Sequence, residues 1–328
     1  MAARAAAHRF NKTFLQVRSR DSAVLLSLNF DPNCHERFSD EVILTGVKFQ
    51  PHKPSWVEYN EHILNASTSY EVDNGYMQSY KFTDFPNIRE KMWKGLEFQK
   101  SKITDDADAC MMMKYKSGYL YNTPLVCVHD RLGDKFETYR NPDETVRYDD
   151  KNRHSDRAHW VPNADYMRVG IEWFDRKLSM AHYLVLSDTI SRVRKWNLQQ
   201  YTRNNLTLLD DLHCKYSSSL AEMSLLFDHC DHLFLSAGSF GMGAGWRSKG
   251  HVLASKLQFV DWRLNKTYLN AKQEEDLFPP NFHLVHPCEG ELDRFCEVSE
   301  ARDPHWNDWK KNLRPGRNIS TSLISGFV

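Results

Sequence analysis

No run of 18 apolar residues occurs in the 328-residue chain, so no membrane-spanning helix is expected within it. There is no surplus of charge either, since 43 Lys and Arg balance 43 Asp and Glu. A neutral balance provides no broad field for nucleic acid or an anionic membrane surface, so any anion site has to be local and built from a few placed residues. Internal repeats and low-complexity tracts are absent. The first ten residues are too few and too charged for a secretory leader. They read as the middle of a helix, and the chain is expected to begin inside a longer one.

Metal-ligand patterns are equally sparse. Asp106 and Asp108 form a lone Asp-x-Asp in a polar stretch with no strand before it, which reads as a solvated loop. His213 with Cys214, and His229 with Cys230 and His232, fit no closed four-ligand zinc spacing. No metal and no cofactor are therefore expected. Cysteine is scarce and odd in number: with seven, at least one thiol stays free if all bridges are internal. Cys288 and Cys296 are close enough in sequence to close a small loop.

What is present begins with a hydrophobic fraction of 41%, enough for one large core or two ordinary ones. A buried strand is predicted over 125–128, a helix over 165–178 capped by Asn163 or Asp165, and a strand over 183–186. A short helix over 190–196, a helix over 220–228, a strand over 232–236, a helix starting in 239–248 and a last strand over 257–260 follow. This alternation is that of a doubly wound α/β domain. The expected boundaries give an N-terminal lobe 1–123, an α/β lobe 124–278 and an irregular tail 279–328. The polar stretch 136–162 reads as a long loop over the sheet's C-terminal edge, where such sheets bind ligands. Trp173, Trp196 and Trp246 are expected in the core. Five Asn-x-Ser/Thr sequons, at Asn11, Asn65, Asn205, Asn265 and Asn318, point to the secretory route.

The first strand runs into His129, Arg131, Gly133 and Asp134. An arginine there places a permanently charged, planar fork at the sheet edge, suited to two phosphate oxygens. An ion pair of Arg131 with Asp134 in an ordinary turn is the simpler reading of these residues alone. Residues 236–241 place hydroxyls and glycine where a strand enters a helix, so that backbone N–H groups approach an anion. The Gly241-x-Gly243-x-Gly245 run is not a dinucleotide fingerprint, because it follows a late strand and has the wrong third spacing.

These segments, in order and spacing, resemble the galactoside α1,2-fucosyltransferase family. His129, Arg131, Gly133 and Asp134 match its donor motif, and Leu132 stands where the family has a second arginine. Strand 184–188 ends in Ser187 and Asp188, as the family's does. Glu222, Leu225, Leu226, Cys230, His232, Ser236, Ser239, Phe240 and Gly241 match its strongest segment; Gly243 replaces an aromatic residue, and Trp246 matches one slightly later. Residues 75–80 resemble a further family segment, while the family's N-terminal glycine-rich loop has no counterpart. The resemblance implies a two-lobed GT-B glycosyltransferase with a Rossmann-like C-terminal lobe. It implies inverting, metal-independent transfer of L-fucose from GDP-fucose to a galactose hydroxyl of a glycan. Donor contacts fall to His129, Arg131, Asp188, Ser236, Ser239, Phe240 and Gly241, with Arg131 stabilising the diphosphate and Asp134 orienting it or acting as base. A cap of the following helix is the structural alternative for Asp188. The resemblance also implies a Golgi-lumen type II membrane protein whose anchor lies outside this chain. Leu132, Glu222, Gly243 and the missing loop favour the alternative of a catalytically inactive, glycan-binding relative.

Overall fold

The computed structural model describes residues 47–49, 70–72, 90, 123–131, 158–212, 219–261, 266–267 and 271–310. The chain divides into two compact units, one of residues 1–101 with 271–279 and 312–314, the other of 102–270 with 280–311 and 315–328. In the first unit β1 (Val47–Phe49) pairs in parallel with β2 (Tyr70–Val72), and a helix spans Ala271–Leu277. Among the described residues no helix is long and apolar enough to cross a membrane.

The second unit is α/β, built on a seven-stranded sheet. In chain order its strands are β3 (Leu125–Asp130), β5 (His182–Ser187), β6 (Asn205–Leu208), β7 (His232–Leu235), β8 (Val252–Ser255), β11 (Phe282–Pro287) and β12 (Phe295–Ser299). They lie side by side as β12-β11-β8-β7-β3-β5-β6, all parallel except β12, which is antiparallel to β11. A small antiparallel sheet of β4 (Ala158–His159), β9 (Phe259–Asp261) and β10 (Lys266–Thr267) is separate. The central strands β3 and β5 are nearly continuous apolar runs because a parallel sheet is covered on both faces.

Helix α1 (Ala164–Lys177) buries Met167, Val169, Ile171 and Phe174, and Asn163 is its cap, accepting from Tyr166 N–H. Asp165 instead accepts from the Phe295 N–H and pairs with Arg168, so the cap falls to Asn163 alone. A Cβ on Gly170 would sit 2.1 Å from the Phe234 ring, so only glycine lets α1 lie this close to β7. Helices α2 (Ile190–Lys195), α3 (Ser219–Asp228) and α4 (Ser239–Arg247) follow the expected spans. Trp173, Trp196 and Trp246 are buried, as expected.

Three expectations change. The strand expected at 257–260 is replaced by the fully buried run Val252–Ser255, and Phe259–Asp261 joins the small sheet. The described part of the expected irregular tail, residues 279–310, holds regular structure: the proline pair 279–280 only separates a helix from β11, whose Phe282, Leu284 and Val285 enter the core. The edge strand β6 was not expected, because a half-exposed Asn-Leu-Thr-Leu run is too short to stand out. Among the described residues two disulfides are present, Cys288–Cys296 at the β11–β12 connection and Cys127–Cys230, which ties β3 to the entry of β7.

Candidate functional site

The strand order determines where a ligand fits. From β3 the chain builds outward through β5 to β6, then returns to the other flank of β3 and builds β7, β8 and β11. The reversal lies between β3 and β7. In open parallel sheets a crevice forms there, outside the C-terminal strand ends. Those ends are His129, Asp130 and Arg131 on one side, and Leu235 to Gly238 on the other.

The two sides are joined by hydrogen bonds. Ser236 N–H donates to the His129 carbonyl at 2.9 Å, and Ser236 Oγ accepts from the Arg131 N–H at 3.1 Å. Ser236 is buried, so its hydroxyl fixes the backbone from which the Arg131 side chain departs. Gly238, at φ 127°, starts α4 in a conformation that L side chains rarely adopt. Its N–H donates to Gln258 Oε1 at 3.1 Å, while Gln258 Nε2 donates to the Ser255 carbonyl at 2.9 Å. Gln258 thereby pins the turn to the end of β8. Gly238, the N-cap residue of α4, supplies no side-chain cap to the helix's first turn. A Cβ on Gly241 would lie 3.5 Å from His129 Nδ1, so His129 packs against this first turn.

Electrostatics single out two carboxyl groups. Glu222, in the first turn of α3, lies 3.5 Å from His129 Nε2. Burial pushes its pKa up to about 7; the Arg131 charge opposes this and the Asp188 charge adds to it. Glu222, His129, Arg131 and Asp188 therefore share one neighbourhood at the strand ends. Asp130 is fully buried, and burial also raises its pKa, opposed by Arg192 and Ser187. Arg192 donates to Asp130 Oδ1 at 2.6 Å and to the Pro162 carbonyl at 3.2 Å, and stacks over Trp196. Ser187 Oγ donates to Asp130 Oδ2 and accepts from the Thr189 N–H. This network ties the end of β3 to the β5–α2 turn that carries Asp188.

The fold thus brings together His129, Arg131, Ser236 and Gly241. Asp188 is exposed one strand away on β5's side, and the cap position of α2 is Thr189 and not Asp188. Ser239 and Phe240 open α4. Asp134, Leu132 and Gly133 lie outside the described residues, as do Asn11, Asn65, Asn265 and Asn318. Glu222 had been read as one matched residue among many, and the Asp130–Arg192 pair was not anticipated. Their importance rests on burial and on a 62-residue separation that no local spacing signals. Among the described residues, no group of three or more His, Cys, Asp or Glu is arranged to hold a metal ion. Cys230 is committed to Cys127, and Asp231 Oδ2 accepts from the Leu125 N–H.

No protein-family model matches the chain, and no curated protein matches it. Among solved structures it is similar to the crystal structure of the glycosyl transferase family 9 from Veillonella parvula DSM 2008, with 9% identity and a TM-score of 0.32. The match covers 59% of this chain and 48% of that one, so the chain spans about half of that protein's length. A TM-score this low does not establish a shared fold.

Proposed function

We propose that the chain is a glycosyltransferase of the GT-B kind that transfers L-fucose from GDP-fucose to a galactose hydroxyl of a glycan, forming an α1,2 linkage with inversion. The observation that carries this reading is the strand-order reversal between β3 and β7, where the His129–Arg131 end of β3 is hydrogen-bonded to Ser236 just before the start of α4. The larger unit is assigned the donor and the smaller unit the acceptor.

The chemistry follows from charge. As the bond between fucose C1 and the β-phosphate oxygen breaks, its electron pair leaves on the diphosphate. The Arg131 guanidinium and the first-turn N–H groups of α4 offset that charge, so no metal enters this scheme. The acceptor oxygen forms the new bond from the opposite face of C1 and releases its proton to a base, for which Asp134 is the candidate. Glu222, beside His129, is the candidate acceptor for the N–H groups of a guanine edge in its ionised form. A uracil ring presents one N–H between two carbonyls and would be repelled there. Asp188 is placed for ribose hydroxyls. The two disulfides suit the oxidising secretory route, and residence in the Golgi lumen through an anchor outside this chain is part of the proposal.

The inactive, glycan-binding alternative draws on Leu132, which stands where the family has its second arginine. Arg131→Ala separates the readings. In a folded variant, GDP-fucose affinity is expected to disappear with unfolding behaviour unchanged. Unaltered affinity would remove Arg131 from its assigned role, and no affinity in the wild type would leave only the inactive relative.

A further inference from the structure

The strand β6 ends one flank of the large sheet and, among the described residues, pairs only with β5. An open strand edge offers unpaired backbone groups to any other strand, and proteins cover or obstruct such edges. Here the chain covers part of the edge itself: the Leu206 N–H donates to Gln199 Oε1 at 3.2 Å, and Gln199 Nε2 donates back to the Thr202 and Asn204 carbonyls. Leu206 and Leu208 are half-buried and pack on the core, so Asn205 and Thr207 occupy the opposite face of the strand.

Asn205, Leu206 and Thr207 form an N-glycosylation sequon. The side chain of Asn205 is exposed and makes no hydrogen bond among the described residues. Its neighbour Asn204 is fully engaged, accepting from the Ala181 N–H and donating to Asp175. Thr207 Oγ1 lies 2.9 Å from His182 Nε2, which holds the strand against β5. The two disulfides suit folding in an oxidising compartment such as the one where oligosaccharide is transferred to asparagine.

We propose that Asn205 carries an N-linked glycan and that this glycan guards the open β6 edge against association with a second copy. The inference does not depend on the fucosyltransferase reading. The test is to secrete the full chain from a eukaryotic host behind a heterologous leader, and to analyse the peptide containing Asn205 by mass spectrometry before and after enzymatic glycan removal. Conversion of Asn205 to aspartate by the glycosidase is expected, and an unmodified Asn205 in the folded, secreted chain would overturn the site. Asn205→Gln keeps the Thr207–His182 contact and removes only the glycan. Light scattering is expected to show concentration-dependent association of this variant at an unchanged unfolding midpoint. A glycan-free variant as monodisperse as the wild type would overturn the guarding role.

Discussion

Three histidines from neighbouring strands meet at the sheet's N-terminal edge, far along the strands from the candidate site. His232 Nδ1 accepts from the His251 N–H at 2.9 Å, and His283 Nδ1 accepts from the Ala301 N–H at 3.1 Å. The His251 and His283 rings approach at 3.1 Å between Nδ1 and Nε2. Protonating His232 or His283 on Nδ1 therefore sets one N–H against another. The charged groups around the cluster are Lys177 on α1 and Glu300 after β12, themselves paired at 2.7 Å. Burial, then the neighbouring His251, lowers His232 and His283 to about 4; burial and Lys177 lower His251, with Glu300 opposing. A histidine held low in the folded state is protonated first in the unfolded chain, near pH 6.5. Stability is therefore complete above that value and is lost as pH falls toward 4. With those values, lowering the pH from 7 to 5 costs about 2 kcal/mol for each histidine and about 4 kcal/mol for the pair. Urea unfolding of the wild type and a His232→Asn/His283→Asn variant at both pH values measures this, since asparagine keeps an acceptor near the Nδ1 position. The variant is expected to lose about 4 kcal/mol less than the wild type on acidification. Equal losses would refute the reasoning.

The two disulfides close loops of very different length, with separations of 103 and 8 residues. Loop-closure entropy assigns about 5 kcal/mol to Cys127–Cys230 and about 2.5 kcal/mol to Cys288–Cys296. Urea unfolding of Cys127→Ala/Cys230→Ser and Cys288→Ser/Cys296→Ser should return that order, and the reverse order would contradict it. The glycines make a second contrast. A Cβ on Gly250 would lie 2.0 Å from the Asp231 carbonyl oxygen, whereas one on Gly241 meets nothing closer than 3.5 Å. Gly250→Ala is expected to destabilise by about 2 kcal/mol or more, and Gly241→Ala by less than about 1 kcal/mol, in thermal or chemical unfolding.

Much of the larger unit was legible in the sequence because parallel strands and their helices carry strong periodic signals. Residues 125–128, 183–186 and 232–236 are apolar runs, and they became β3, β5 and β7. Misreadings occurred where the signal is divided. In β11 the core residues Phe282 and Leu284 are interrupted by His283, and Asn281 and the proline pair before the strand suggested an end to regular structure. Strand β8 is only four residues long and abuts Gly250 and His251, so the pattern was assigned to the next apolar residues. At the site, Arg131 and Ser236 were visible because chemistry-bearing residue types follow strands. Glu222's displaced pKa, the Asp130–Arg192 pair and the histidine cluster depend on burial and on contacts between distant segments. The Cys127–Cys230 pairing was equally hidden, since seven cysteines permit many connectivities.

The central claim is a metal-free GDP-fucose site at the strand-order reversal. Calorimetric titration of GDP-fucose into the full chain, with EDTA present and GDP-mannose as the control, tests it most directly. The account predicts saturable binding that prefers GDP-fucose and needs no metal. A folded chain that binds neither nucleotide sugar, or binds only when divalent metal is restored, would contradict it.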